Sequence, residues 1–375
     1  MKNIFWIAGE KSGDLHAGEV MRELNAKSAE LNHVGIGGEK MEEQGLQPIF
    51  DFQRFAVMGF VEVIKHLKFF SKVEKKIKQM LRENPPDLVV LVDYPGLNMR
   101  IAKYAKELGI KVLYFICPQF WAWKKKRIFK LKEYTDHICY ILPFEGEYFR
   151  KHNIAATYVG HPIAEEIKLK ISKEEFAHKY NLDLNKRWIG FFPGSRNSEI
   201  ERILPEYVRA IQKFPKADYQ FLISRASSVN PEIFQKCLGK IPAQTYIINA
   251  DNYEMMKYCN CLSVTSGTAT LETAYLETPF IIVYKTAPIS YFIGKNLVNI
   301  TRIGLPNIIL DEDLLPELIQ DDVSAQNIME NMEKLLKNKN LFDGTKAKLK
   351  KIHKVLGKSS ASKKTAEIIF DLIGD

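Results

Sequence analysis

The chain has 375 residues, 46% of them hydrophobic and 26% charged, which is too long for one typical core and suits two domains of roughly 150–200 residues. Nothing in it approaches the roughly 18 consecutive apolar residues that span a bilayer, and the opening MKNIFWIAGEKSGD runs too quickly into Gly9-Glu10 for a secretory signal, so a cytoplasmic protein is expected. The net charge of +9 favours anionic partners (nucleic acid, acidic membrane or phosphorylated substrate), and the five cysteines, with only Cys259 and Cys261 close together, match neither a zinc pair nor a Cys-x-x-Cys redox motif.

In chain order, short Val/Ile/Phe/Tyr-rich runs alternate with longer helical patterns. The first half offers strands in NIFWIAG, HVGIGG, DLVVLVD, KVLYFIC, HICYIL and TYVGHP; the second offers WIGFFPG, DYQFLIS, TYIINA, CLSVTSG and PFIIVYK. They are mostly apolar throughout, as strands covered on both faces are, and the strand–helix–strand order predicts parallel α/β sheets. The charged stretch AEEIKLKISKEEFAHKYNLDLNK breaks the pattern and marks a domain boundary. The expected fold class is therefore α/β, with two Rossmann-like domains whose parallel sheets face a central cleft, the first over residues 1–165 and the second over 186–345. Ligands of such sheets sit beyond the carboxyl ends of the strands, so the residues after each strand come next.

WIAGEKSGD follows the first strand and has the letters of a P-loop, but the order Gly-x-x-x-x-Gly-Lys-Ser/Thr is absent. No Gly-x-Gly-x-x-Gly follows the first strand of either domain, which disfavours NAD or FAD. FAVMGFVEVIKHLKFFSKVEKKIKQM joins the apolar Val57, Met58, Phe60 and Val61 to a helix whose Ile64, Leu67, Phe70, Val73, Ile77 and Leu81 recur every three or four residues. It reads either as an interfacial membrane contact or as a core-facing helix with a solvated lysine face. DLVVLVDYPGLN ends a strand on Asp93, placed either to take a proton from a hydroxyl nucleophile or to form the turn before Pro95. FICPQFWAWKKKRIFKLKEYTD is aromatic and basic: a phosphate, lipid-headgroup or nucleic-acid contact, or an amphipathic helix with solvated lysines. His161 in VGHP reads first as a structural hydrogen-bonder.

In the second half, FFPGSRNSEIERILP turns at Pro193-Gly194-Ser195 and starts a helix near Asn197. Arg196 either holds a phosphate there or pairs with Glu199 or Glu201. In CLSVTSGTATLETAYLETPF a strand ends at Val264 and residues 265–270 open a helix. The small Ser266, Gly267, Thr268 and Ala269 let an anion approach the backbone N–H groups. Glu272 faces ribose hydroxyls, or serves as the first-turn acid of a capping box.

AGEKSGDLHAG, GIGGEKM, AVMGFVEV, DYPGLN, WAWKKKR, PFE, VGHP, PGSRNSEI, SGTATLE and LPNIIL follow one another from residue 8 to about 310. In this order they resemble the lipid-A-disaccharide synthases, inverting glycosyltransferases of the two-domain GT-B class, and LPELIQDD extends the likeness. Lys11 stands where that family often has a small residue, and Gly96 replaces a frequent acid. The resemblance implies UDP-2,3-diacylglucosamine as donor, 2,3-diacylglucosamine 1-phosphate as acceptor, a β-1,6-linked disaccharide 1-phosphate as product, released UDP, and no cofactor or metal. It implies Asp93 as base for the acceptor 6-hydroxyl, Arg196 and Ser195 with the helix start at 266–269 on the diphosphate, and Glu272 on the ribose. Glu10, Ser12, Gly13, Asp14, Asn98 and His161 fall on the acceptor side, with Gly9 and Gly13 forming the turn after the first strand. It also implies membrane contact through Val57, Met58, Phe60 and Val61, by a peripheral enzyme on the anionic cytoplasmic face of a Gram-negative inner membrane. Nucleic acid is not an implied partner. A C-terminal helix at about 355–375 joins the first domain or is exchanged within a homodimer. Two readings compete: another UDP-sugar enzyme of the same fold (a UDP-N-acetylglucosamine 2-epimerase or the peptidoglycan N-acetylglucosaminyl transferase), and a basic nucleic-acid-binding protein suggested by charge alone.

Overall fold

The apolar runs become parallel strands in a computed structural model that describes every residue except 29, 53–54, 56–66, 124–125, 216–217, 289–290, 292–300, 358–359 and 375. The chain divides into two units, Met1–Pro162 with Leu356–Asp375, and Ile163–Val355.

Among its described residues the first unit holds β1 (Lys2–Ala8), β2 (Leu31–Ile36), β3 (Leu46–Pro48), β4 (Leu88–Val92), β5 (Lys111–Phe115), β6 (His137–Tyr140) and β7 (Ala156–Tyr158). They form one sheet in the order β3-β2-β1-β4-β5-β6-β7, every pair parallel. Parallel neighbours need a crossover, and the helices between the strands supply it. The helix Lys11–Lys27 turns Ala17, Val20, Met21 and Leu24 onto β1 and β4, and the last helix, Ala361–Gly374, adds Ala361, Ala366, Ile369 and Ile373 to the same core. At about 1.5–3 kcal/mol for each fully buried isoleucine, Ile369 and Ile373 alone fasten the returning C-terminus firmly to this unit. Lys111 Nζ, 2.8 Å from the Leu372 carbonyl oxygen, adds a cation at the carboxyl end of that helix.

The spacing expected for a helix after residue 64 falls on the core side of the helix Leu67–Glu83, where Phe70, Val73, Ile77 and Leu81 are all buried. Ile64 and the proposed membrane contacts Val57, Met58, Phe60 and Val61 lie outside the described residues. The described aromatics of FICPQFWAW, Phe115, Phe120 and Trp121, are core rather than surface. Phe120 and Trp121 are buried, and the Trp121 indole donates to the equally buried Glu145 at 3.0 Å; among the residues that follow, Lys126, Lys130 and Lys132 face water, as does Phe129.

Among its described residues the second unit holds β8 (Arg187–Phe192), β9 (Tyr219–Ser224), β10 (Thr245–Ile248), β11 (Cys261–Thr265), β12 (Phe280–Tyr284) and β13 (Glu317–Ile319), again all parallel, in the order β10-β9-β8-β11-β12-β13. Ile200, Ile203, Leu204, Tyr207 and Ile211 of the helix Asn197–Lys213 and Ile328, Met332 and Leu335 of the helix Ala325–Lys337 cover one face. The charged stretch expected between the domains belongs here. Its helix Lys173–Tyr180 starts on a Ser172–Glu175 capping box and buries Phe176 against the rings of Trp188 and Tyr258. β3 and β13 were not foreseen. Each is three residues long at a sheet edge, too short for a periodic signal, and β3 ends on a proline of the kind edge strands tolerate.

Candidate active site

In each sheet the strand order reverses once, between β1 and β4 in the first and between β8 and β11 in the second. At such a point the connections leave in opposite directions and open a crevice beyond the carboxyl ends of the two strands. The residues following these four strands are 9–12, 93–98, 193–196 and 266–269, the segments singled out in the sequence.

At the first reversal, Asp93 and Tyr94 both take left-handed backbone conformations, with φ of 46° and 48°. Each such residue costs of order 1–3 kcal/mol unless its surroundings hold it. Here they do: the Asp93 carbonyl oxygen accepts the Tyr114 hydroxyl at 2.8 Å and the Asn98 amide at 2.7 Å, and the Asp93 N–H donates to the Phe115 carbonyl at 3.1 Å. The Tyr94 ring lies over Gly9 so closely that a Cβ there would stand 2.7 Å from it, so only glycine fits after β1. Burial, and next the Glu10 carboxylate, push the Asp93 carboxyl up to about 6, while the Tyr94 N–H and His16 act in the opposite sense. Asp93 is then ionised at neutral pH yet more basic than a solvated aspartate, a useful state for a general base. His161 is buried, and burial followed by the His16 charge brings its imidazole down to about 3, so it is neutral. His16 was missed in the sequence; its only signal was its place six residues after Glu10 in the same segment.

Three acceptor-side expectations change. The helix begins at Lys11, so the turn is Gly9-Glu10 alone, and Gly13 is a helical residue packed on Val92. Asp14 does not face a ligand: it is buried, and its carboxylate accepts the backbone N–H groups of Gly38 (2.7 Å), Lys40 (3.1 Å) and Met41 (3.1 Å), tying the loop after β2 to the helix Lys11–Lys27. Asn98 is also buried, and its amide donates to the Val92 and Asp93 carbonyls, holding the end of β4. Both side chains are committed to backbone groups of their own unit. Glu10 and Ser12 are exposed on the same rim.

At the second reversal, the helix Thr268–Tyr275 starts directly after Gly267, and no side chain caps it. The orphan N–H groups and the helix dipole make this an anion-seeking position. Ser266 shapes the approach, its hydroxyl donating to the Ile303 carbonyl at 3.0 Å and its N–H to the Val283 carbonyl. Thr268 is exposed and Ala269 half-buried. Glu272 lies past the first turn, which holds no acid, so the capping-box alternative does not apply; its Oε1 receives the Tyr253 hydroxyl at 3.4 Å.

Arg196 takes the alternative weighed for it. Its guanidinium pairs with Glu199 at 3.2 Å, and Glu199 also accepts the backbone N–H groups of Ser195 (2.9 Å) and Arg196 (3.2 Å). Thus a carboxylate of the chain itself sits at this helix start, where a phosphate was expected. The Arg196 side chain stays 69% exposed, so it keeps the reach to turn to a stronger anion. Among the described residues no group of three or more His, Cys, Asp or Glu is arranged to hold a metal ion.

Residues 4–370 match the family described as Lipid-A-disaccharide synthetase. The lipid-A-disaccharide synthase of Trichlorobacter lovleyi is 34% identical over 374 residues, covering 99% of this chain and 98% of its own. Among solved structures, the UDP-GlcNAc 2-epimerase of Neisseria meningitidis bound to UDP-GlcNAc superposes with a TM-score of 0.65, over 98% of this chain and 99% of its own, at 13% identity. The calicheamicin glycosyltransferase CalG4 superposes with a TM-score of 0.64, over 100% and 98%, also at 13% identity. These two share the GT-B fold with this chain but not with each other a reaction, so the fold does not choose between transferase and epimerase. The sequence family does, and matched along nearly its whole length this chain belongs to the lipid-A-disaccharide synthetases.

Proposed function

We propose that the chain transfers 2,3-diacylglucosamine from UDP to O6 of 2,3-diacylglucosamine 1-phosphate, giving a β-1,6-linked disaccharide 1-phosphate and UDP. The observation that carries the reading is the Asp93 carboxylate, fixed by a left-handed backbone at the reversal of the first sheet and raised to about 6. Asp93 takes the proton of the acceptor 6-hydroxyl as O6 attacks the donor's anomeric carbon. The bond from that carbon to the diphosphate oxygen breaks, its electron pair leaves with UDP, and the proton on Asp93 passes to solvent. Negative charge gathers on the diphosphate during this step. The uncapped N–H groups at the start of Thr268–Tyr275 stabilise it, joined by Arg196 once the diphosphate outcompetes Glu199. Glu272 accepts the ribose hydroxyls. The first unit thus serves the acceptor through Asp93, Glu10, Ser12 and His161, and the second serves the donor.

Both substrates carry acyl chains, so the same reading gives the protein a peripheral place on the anionic cytoplasmic face of the inner membrane. The net charge of +9 supports it, and no helix of the described residues is long and apolar enough to cross a membrane. A homodimer belongs to the same reading and is checked by sedimentation. The function is tested by incubating the purified protein with both sugars and with each alone. UDP release that needs both is expected; release from the donor alone, or RNA binding without response to UDP, would sink it.

A further inference from the structure

Tyr253 belongs to a helix, Asn252–Tyr258, that is pinned on several sides. Asn252 Oδ1 accepts the Ser224 hydroxyl at 2.8 Å, and Glu254, itself buried, accepts the Lys170 N–H at 2.5 Å. Asp251, the residue before the helix, accepts the Tyr180 hydroxyl at 3.0 Å and pairs with Lys179. A side chain on such a helix is presented in a fixed place. The Tyr253 hydroxyl is presented to Glu272 Oε1 at 3.4 Å. That is long for a hydroxyl–carboxylate bond, and such bonds often shorten only when the ligand arrives. Burial first, then the carboxylates of Glu272 and Glu166, keep the phenol protonated, so at neutral pH it can only donate toward Glu272.

A ribose presents two neighbouring hydroxyls to a carboxylate. The carboxylate can accept both only if its plane is held, and a donor on one of its oxygens holds it. We propose that Tyr253 is a positioning residue for the donor nucleotide, its hydroxyl fixing the Glu272 carboxylate in the orientation that receives the ribose diol. The inference rests on the reading of Glu272 as the ribose ligand. It makes the preference for a ribonucleotide depend on a hydroxyl that touches neither the diphosphate nor the reacting atoms.

The test uses calorimetric titration of the full chain with UDP and with 2′,3′-dideoxy-UDP. Wild-type protein is expected to prefer UDP by roughly tenfold or more, the value of hydrogen bonds to a charged acceptor. Tyr253→Phe, which removes one oxygen and keeps the ring, should reduce that preference about fivefold while leaving the affinity for the dideoxy probe within about twofold. A loss equal for both probes, or an unchanged preference in Tyr253→Phe when Glu272→Gln abolishes it, overturns the role of Tyr253 and leaves the ribose reading standing. If Glu272→Gln keeps the preference, or wild-type protein binds no UDP, the ribose reading falls and takes this inference with it.

Discussion

Asparagine at position 93 separates two effects of the same carboxylate. Asn adopts the left-handed conformation as readily as Asp, so the φ of 46° is kept. The amide cannot take the acceptor's proton, and loss of a general base costs roughly 10²–10⁴-fold in kcat. Stability moves the other way. The carboxyl is raised from 3.8 to about 6 in the fold, and each pH unit corresponds to about 1.4 kcal/mol. A raised carboxyl supplies stability below 3.8 that is lost as the pH rises through about 6. At pH 7.5 the ionised Asp93 therefore destabilises the fold by at most about 3 kcal/mol, and Asp93→Asn removes that burden. Scanning calorimetry should show a variant that melts several degrees higher at pH 7.5, with the gap closing as the pH falls toward 4, while UDP affinity is unchanged and turnover is lost. The wild-type rate should fall as the pH drops through about 6. Full activity in the variant would refute Asp93 as the base. An inactive variant that melts lower at pH 7.5 would refute the environment assigned to it.

Gly267 has a φ of 158°, a backbone that side-chain-bearing residues rarely adopt, so Gly267→Ala should disturb the helix start and weaken UDP binding roughly tenfold, at a strain of order 1–3 kcal/mol. Unchanged affinity would take that helix out of the donor site. Arg196→Ala should raise the donor KM, and if UDP affinity and rate both hold, the role of Arg196 ends at its pairing with Glu199. Ile369→Ala should cost roughly 2–5 kcal/mol in urea unfolding of the first unit, because Ile369 is fully buried against the helix Lys11–Lys27; an unmoved midpoint would show that the last helix is not part of this core. Burial holds Glu145 up at about 8, so its contribution is full below 4.5 and lost as the pH rises through about 8. Glu145→Gln keeps one acceptor oxygen, enough for the Trp121 or the Leu142 N–H but not for both, and removes the titration, so it should flatten the decline of melting temperature between roughly pH 5 and 8; equal slopes would contradict this.

Most strands were legible because a strand covered on both faces is mostly apolar, as LVVLV and FIIVY are. The helix Leu67–Glu83 was legible because its buried residues keep helical spacing. Strand order was not, since pairing joins residues far apart in the chain, and so the two reversal points emerge only when β1 meets β4 and β8 meets β11. The errors at Asp14 and Asn98 have the same origin. An acid or amide near a strand end looks available for a ligand, but the backbone groups that claim Asp14 lie 24 to 27 residues away, and Asn98 also reaches back toward β1, to the Ile7 carbonyl at 3.4 Å. Arg196 and Glu199 are close in sequence, and there the pairing was among the alternatives. The helix Lys173–Tyr180 hides within the charged stretch that marks the domain boundary, because its one buried aromatic, Phe176, is surrounded by charges in the sequence.

Direct displacement by a hydroxyl that Asp93 deprotonates must invert the anomeric carbon. NMR of the disaccharide formed from UDP-2,3-diacylglucosamine and 2,3-diacylglucosamine 1-phosphate reads the new linkage in one spectrum. A β-1,6 bond, formed by the wild-type chain and not by Asp93→Asn, is the predicted result. An α bond, a product made equally well by the variant, or no disaccharide at all would contradict it.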